Sequence, residues 1–445
     1  LDHAGAGYPG AVGQLADCLG RLLHRLGGRA VGQANEDQPC SNGHADQRGG
    51  RQNLAGKAHI TQHGVLGRVE AEREGGGEES MAIGHFLAVM GDAPVFEHDD
   101  SVREIEDAVV VGNALGAGGN PARMLALHAG LPEACAALTV DTQCCAGLDA
   151  VSVGVALIAS GQAEVVMAGG VEAWSRSPIR MHRPRHKNEV AMPYERPAFA
   201  PTPDKDPDML LSAARYAAQN GYTRAQQEAY AMQSHAHAVA HVTRMAKEIV
   251  PVAGVTHDTY PRHIDSHRAA RMPVVARSDI PTPDSSEACA LSALTIAAQA
   301  DGAAFVLLLS PNAASRLNVR SQATWVSNAS VGGAPEFPLL AAELAAREAL
   351  KRADIAHAHQ MQFVELHDAF AVQGLSFAER LGLAPECLNP LGGGLARGHP
   401  IGASAAIALV RLLANLDHHN TSGAHGLAAV AGAGGLGAAA VVRWL

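Results

Sequence analysis

The chain is expected to be an α/β protein, and three observations point that way. From about Ile105 onward, short apolar runs bounded by Gly, Asn or Pro alternate with longer segments of helical period. Apolar residues make up 47% of the 445 and aromatics only 4%, so the interior is built from Ala, Val, Leu and Ile. The 47 glycines supply tight turns and close backbone approaches between such elements. Strands alternating with helices at this spacing imply a largely parallel sheet covered on both faces.

Residues 1–104 stand apart from that pattern. The run "NEDQPCSNGHADQRGGRQNLAGKAHITQHG" shows neither a period of two nor of 3.6, and "EREGGGEES" has linker composition. Only "AVGQLADCLGRLLHRLGG" reads as a helix, with Leu15, Cys18, Leu22 and Leu26 near one face. The orderly pattern then opens with "DAVVVGNAL", a short strand ending in Gly-Asn. "PARMLALHAGL" is a helix starting on Pro121, where a missing N–H costs nothing. "AALTVDTQ" is a strand, "AGLDAVSVGVALIASG" a helix closed by Gly161, and "AEVVMAGGVEA" a further strand.

Residues 175–285 interrupt the alternation and read as an inserted loop domain. They hold "RMHRPRHK", several prolines and a helix-rich run over 208–241, in which Thr223 followed by Gln226 and Gln227 marks a helix start. Residues 105–174 and 286–311 form one half of the fold, closing with the buried strand "DGAAFVLLLS". Residues 312–445 form the other, with the strand "ATWVSNASV", the helix "LLAAELAAREALKRA", the strand "QFVELHDAF", the helix "SAAIALVRLLANL" and the apolar run "GLAAVAGAGGLGAAAVVRWL". A Cys turn leading into a helix in one half matches a His-Pro turn leading into a helix in the other, which suggests duplication.

Bulk properties narrow the function. A formal charge of −10 argues against nucleic acid or an anionic membrane as the main partner. No apolar run reaches the roughly 18 residues of a membrane span. Seven scattered cysteines are not a disulfide framework, residues 1–30 lack the features of a secretory signal, and a cytoplasmic location is expected. The first residue is Leu rather than Met, which suggests an incomplete start. The histidines of "HRPRH" and "SHAHAVAH" lack companion ligands, so no metal is expected.

Four stretches carry chemistry. In "DTQCCAGLDAV" two adjacent cysteines lie between a strand and a helix start, where the positive end of the helix dipole lowers a thiol pKa and Gly147 lets the helix pack closely. Local sequence leaves the two sulfurs equivalent, as nucleophile or as small core residues. In "NPLGGGLARGHPIGASAA", glycines and Pro400 fix His399 at a turn, from which its imidazole could take a proton from a thiol; a turn histidine without a partner is the alternative in a chain with 23 histidines. His367 and Asp368 close the strand in "VELHDAF". The glycine-rich turn of "AVAGAGGLGAAAVV" offers backbone amides to an oxyanion.

Taken in order with "GNPARMLALHAGLP", "AGGVEAWSRSP", "EIVPV" and "ADGAA", these stretches resemble the thiolase family of coenzyme A-dependent acyltransferases over residues 105–445. The resemblance implies duplicated βαβαβαββ halves in a layered α/β/α/β/α core, with an inserted loop domain. It selects Cys144 as the nucleophile, three residues before Gly147, and leaves Cys145 at a variable position. It makes His399 the base and His367 an oxyanion-hole residue, where many thiolases have Asn. The N–H groups of Cys144 and Ala433 would form a second oxyanion hole. Coenzyme A and acyl-CoA are then substrates, with no permanently bound cofactor, in fatty-acid and lipid metabolism. The likeness also implies a homodimer or homotetramer.

The chain departs from that family at Ala431, which occupies the position of a second, acid/base cysteine, at Ala433, which replaces a glycine, and at Ala297, which replaces a serine near the pantetheine. Acyl transfer to Cys144 survives these changes; reversible Claisen condensation is weakened unless His367 or a water replaces the thiol. The expected function is therefore acyl transfer through an acyl-cysteine, in 3-ketoacyl-CoA cleavage or acetyl-CoA condensation. The alternatives are a non-catalytic acyl-CoA-binding homologue, or a Cys-His-His condensing enzyme or thioester hydrolase. Arg180, Arg183, Arg185 and Lys187 form the densest basic cluster, matched either to the phosphates of coenzyme A or to a solvated loop. The family's opening strand and helix are not visible in residues 1–100, which read as a divergent extension or as translated from a wrong frame or start.

Overall fold

The computed structural model describes residues 59–61, 85–86, 107–116, 118–252, 255–280, 287–384 and 386–445. The helix expected over residues 11–28 and the linker-like run of residues 72–80 lie outside the described residues. Two short strands come first, β1 (His59–Thr61) and β2 (His85–Phe86). A three-residue strand carries no readable period, which is why β1 is invisible within its non-periodic surroundings.

The first half follows in the expected order: β3 (Ala108–Gly112), α1 (Pro121–His128), β4 (Ala136–Val140), α2 (Ala146–Ala159) and β5 (Val165–Ala173). Asn120, in the left-handed region at φ 56°, caps α1 by accepting from the Arg123 N–H, and Pro121 sits in the first turn. The hairpin β6 (Arg180–His182) and β7 (Met192–Tyr194) comes next, then α3 (Met209–Gln219) and α4 (Arg224–Ala240). The helix-rich run is thus two helices, parted at Gly221 with φ 71°. Thr223 and Gln226 form a capping box at the start of α4. The small strands β8 (Val274–Ala276) and β9 (Leu291–Ser292) pair with each other before β10 (Asp301–Leu309) returns to the main sheet.

The second half comprises β11 (Ala323–Gly332), α5 (Ala341–Arg352), β12 (Phe363–His367), α6 (Ala371–Leu381), the one-turn α7 (Gly394–Arg397), α8 (Ser404–His419), β13 (His425–Gly432) and β14 (Leu436–Trp444). Sequence reading left out α6, although Gly382 at φ 63° ends it as a helix-terminating glycine should.

One hydrogen-bonded path runs β12-β13-β14-β11-β1-β10-β5-β3-β4. It is mixed rather than largely parallel. The pairs β4–β3, β3–β5 and β12–β13 are parallel; β5–β10, β10–β1, β1–β11, β11–β14 and β13–β14 are antiparallel. The physical reason is local: β13 and β14 are joined by a tight turn, which can only make an antiparallel pair, while parallel neighbours need a helical crossover. The two halves repeat one pattern. Reading outward from the centre, β1-β10-β5-β3-β4 matches β11-β14-β13-β12 followed by the isolated parallel bridge Val364–Leu388.

Alternating side chains divide each strand between two cores. Val110, Val166 and Leu308 of the first half and Ala428, Val430 and Val442 of the second share one core around α2 and α8. Val109 and Val111 face the other way, with α1. Val364, Leu366 and Val441 pack with α5 and α6. The layers are therefore α1, first sheet half, α2 with α8, second sheet half, then α5 with α6. Each fully buried Val or Leu contributes about 1.5–3 kcal/mol relative to exposure. The central layer matters most for the site, because the N-terminal ends of α2 and α8 meet there.

Candidate active site

Cys144 lies in the single 3-10 turn Gln143–Cys145 between β4 and α2. Gln143 adopts φ 56°, a left-handed conformation that costs a non-glycine residue about 1–3 kcal/mol. Asp141 holds it there, accepting from the Gln143 N–H at 3.0 Å and its side-chain amide at 3.2 Å. This bend separates the two sulfurs. Cys144 Sγ lies 3.2 Å from His399 Nε2. Cys145 is 1% exposed within the central core, its Sγ 3.9 Å from the Val430 carbonyl. Gly147 allows the approach of the two helix starts: a Cβ there would lie 2.8 Å from the Gly402 carbonyl oxygen and 2.9 Å from the Ala406 nitrogen.

His399 is fixed from several sides. Its N–H donates to the Ala298 carbonyl at 2.7 Å, and its carbonyl accepts from Trp174 Nε1 at 3.1 Å. Nδ1 lies 2.7 Å from Ser404 Oγ, which donates its own hydrogen to the Pro400 carbonyl at 3.0 Å. The hydroxyl has one hydrogen, so Nδ1 carries the imidazole proton and Nε2 presents a lone pair to Cys144. Burial pulls the His399 pKa down to about 4. Burial pushes the Cys144 thiol up to about 12, against the Ala433 and Cys144 N–H groups, which favour the thiolate; Glu172 and Asp141 add to the rise. The resting pair is therefore a thiol facing a neutral imidazole.

His367 ends β12, with its ring stacked on that of His399 at 4.3 Å between centroids and 29° between planes. It is buried, and its Nε2 has no hydrogen-bond partner among the described residues. Burial first, then the charges of His399 and Arg397, hold its pKa well below the usual histidine value. Gly394 packs against this ring so closely that a Cβ would sit 2.7 Å from it. Asp368 turns away, accepting from the Gly394 N–H and from Tyr230 Oη at 3.0 Å; burial raises its pKa to about 6.

The turn between β13 and β14 closes the site. Gly434 and Gly435 adopt φ 77° and 80°, and the Ala433 N–H points at the Cys144 sulfur. Ala431, near the end of β13, pairs with Gly437 of β14 and packs against the outer core of the second half. It offers no group that can carry a proton.

Residues separated by long stretches of chain complete the arrangement, and sequence reading missed three of them. Ser404 and Trp174 hold His399 as described. Glu172, at the end of β5, accepts from Asn113 Nδ2 at 3.0 Å and from the N–H groups of Ala114 at 3.0 Å and Gly402 at 3.0 Å. It thereby ties the loop after β3 to the turn before α8, and burial raises its pKa to about 7. A lone Glu closing an apolar strand was the available signal. In the basic cluster, Arg180 Nη2 approaches the Ala114 carbonyl at 3.4 Å, next to that loop, while Arg183, Arg185 and Lys187 are exposed between β6 and β7. Among the described residues there is no cluster of three or more metal-ligating side chains and no helix long and apolar enough to cross a membrane.

Comparison with known proteins adds to this geometry. The thiolase N-terminal domain family matches residues 68–312 and the thiolase C-terminal domain family residues 319–444. A Staphylococcus aureus protein provisionally named acetyl-CoA C-acetyltransferase VraB is 30% identical over 387 residues, 84% of this chain and 97% of that protein. A Bacillus subtilis protein, provisionally named acetyl-CoA C-acetyltransferase YhfS, is 31% identical over 377 residues, covering 83% and 97%. Among solved structures, Acat5 thiolase from Ascaris suum in complex with coenzyme A superposes with a TM-score of 0.69 at 26% identity, over 77% of this chain and 89% of that one. Human mitochondrial 3-ketoacyl-CoA thiolase reaches a TM-score of 0.73 over 88% and 99%; at 22% identity it speaks for the fold alone.

Proposed function

This chain belongs to the thiolase family, and we propose that it is an acyl-CoA acyltransferase working through an acyl-Cys144 intermediate. The observation that carries the reading is the 3.2 Å approach of Cys144 Sγ to a His399 Nε2 whose tautomer is set by Ser404. A thiol with a pKa near 12 is a poor nucleophile alone, so His399 takes its proton as the sulfur attacks the thioester carbonyl. The Cys144 and Ala433 N–H groups stabilise the oxyanion that forms, and the buried Nε2 of His367 binds the substrate thioester oxygen, directly or through a water. Collapse of the intermediate expels coenzyme A as a thiolate, which recovers the proton from His399. In condensation the acyl group then passes to a carbanion. In 3-ketoacyl-CoA cleavage the sulfur attacks the 3-keto carbon instead, the C2–C3 bond breaks, acetyl-CoA leaves as a carbanion that takes the proton from His399, and free coenzyme A then takes the acyl group from Cys144.

Ala431 supports a second reading. With no thiol there to remove an α-proton, a Cys-His-His site fits condensation without α-proton abstraction, or thioester hydrolysis. Coenzyme A is a substrate in either case, and its phosphates would meet Arg180, Arg183, Arg185 and Lys187. Cys144, Cys145 and Cys387 carry free thiols, and a reducing, cytoplasmic setting is the reading they support.

The test is intact-mass measurement after incubation with acetyl-CoA and longer acyl-CoAs. An adduct mapped to Cys144 in the wild type, kept in Cys145→Ala and lost in Cys144→Ala, is expected. The absence of any adduct with every chain length would remove both catalytic readings and leave a binding homologue. An adduct without cleavage of acetoacetyl-CoA favours the second reading, and Ala431→Cys should then raise cleavage.

A further inference from the structure

Behind the two histidines lies a buried ionic network that the acyl transfer above does not use. Arg397 Nη2 is 3.6 Å from Glu365 Oε2, and the two side chains are 5% and 0% exposed. Glu248 pairs with Arg411 beside them, also buried. Asn415 donates to Glu365 Oε1 at 2.8 Å and accepts from Arg244 at 2.8 Å. Apolar residues of similar volume would stabilise such a position at least as well as buried charges. What distinguishes the pair is its place in the chain. Glu365 and His367 are two residues apart on β12, so their side chains leave the same face of the strand. Arg397 and His399 are also two apart, separated only by Gly398 at φ 99°.

We propose that the Glu365–Arg397 ion pair is a positioning device for the histidine pair, tying the strand that carries His367 to the turn that carries His399 and holding the rings at their 4.3 Å stacking. The inference rests on the reading that these rings serve acylation of Cys144. Ala298, Trp174 and Ser404 fix His399 itself, but none of them joins its turn to the strand that carries His367. α7 is a single turn of four residues, too short to be stable alone, and although the Gly398 and His399 N–H groups are held by the Gly394 and Ala298 carbonyls, the Arg397 side chain is what joins this turn to β12. Asp368 holds the Gly394 N–H at the start of α7, and Asn389 Oδ1 holds the Leu366 N–H at 2.9 Å; neither reaches its Arg397 end.

The pair also balances charge at the rings. His367 is faced by His399 from the turn, by Arg397 from α7, by Asp368 and Glu365 from its own segment, and through Asp368 by Tyr230 of α4; Glu248 and Arg411 lie behind. The Arg397 charge opposes a proton on His367, and the paired Glu365 carboxylate has the sign that offsets it.

The test is the rate of Cys144 acylation by acetyl-CoA, followed by intact mass between about pH 4 and 8, with kcat and KM read separately. Arg397→Met should move the acid limb up by about one pH unit, and Glu365→Gln should move it the opposite way. Both should lower kcat about tenfold with KM little changed. The double variant buries no lone charge and keeps the test open if the single variants fail to fold: its limb should return to the wild-type position while kcat stays low. Arg397→Lys should keep the wild-type limb. Acid limbs that stay in place in the single variants, or a double variant with the full wild-type rate, would overturn the inference. A wild type that takes up no acyl group defeats the functional reading with it; a wild type that acylates beside unmoved variants defeats this inference alone.

Discussion

Burial makes Cys144 and His399 an uncharged pair, with pKa values of about 12 and about 4. Reactivity toward iodoacetamide should therefore climb steadily with pH through the neutral range, measured as the rate of mass increase at Cys144. A plateau already reached near pH 7 would instead mean a resting thiolate–imidazolium pair. The same shifts bear on stability with opposite signs. His399 binds fewer protons folded than unfolded between about 4 and its ordinary 6.5, so its contribution rises with pH across that window. Cys144 binds more protons folded than unfolded between 9.0 and about 12, so its contribution falls as pH rises there. Turn glycines, a proline and a strand end mark the Cys144–Cys145 pair, His399 and His367 in the linear chain, and the family resemblance is what prefers Cys144 over Cys145. Ser404 carries no such mark: its contact with Nδ1 exists only once the turn before α8 has formed. The orphaned Nε2 of His367 is likewise a property of packing.

At the scale of elements, the helix starts of α2 and α8 bring nucleophile and base together, and Gly147 sets how near they come. Gly147→Ala should push backbone against backbone, lowering unfolding free energy in denaturant by about 1–3 kcal/mol. It should also slow acylation of Cys144 by tenfold or more, since small misplacements of reacting groups are costly. Unchanged stability and unchanged acylation together would show that the contact can relax. Most elements were legible from period and punctuation. α6 was not, and the strand directions could not be, because direction depends on which strands become neighbours. The sequence expectation of a largely parallel sheet failed for that reason at β10, β11 and β14.

At the scale of the whole molecule, the outer edge of β4 carries no partner strand among the described residues. Leu138 on that strand is 42% exposed, and Met124 and Leu127 of the adjoining α1 are 45% and 44% exposed. An open edge flanked by apolar side chains invites pairing with its own copy across a two-fold axis, and we expect a homodimer there. Sedimentation of the wild type should give twice the chain mass, and Leu138→Lys should give the monomer; a wild-type monomer would refute the assignment. What the linear chain carries by itself is the α/β class and the alternation of its elements, because periodicity and turn residues are local; the resemblance to the family's motifs is what points to Cys144, His399 and His367. What only tertiary structure decides is which sulfur meets the imidazole, which tautomer it meets, and which ion pair stands behind it. Those depend on contacts between residues as far apart as Cys144 and His399, 255 positions along the chain, and no local pattern encodes the packing that joins them.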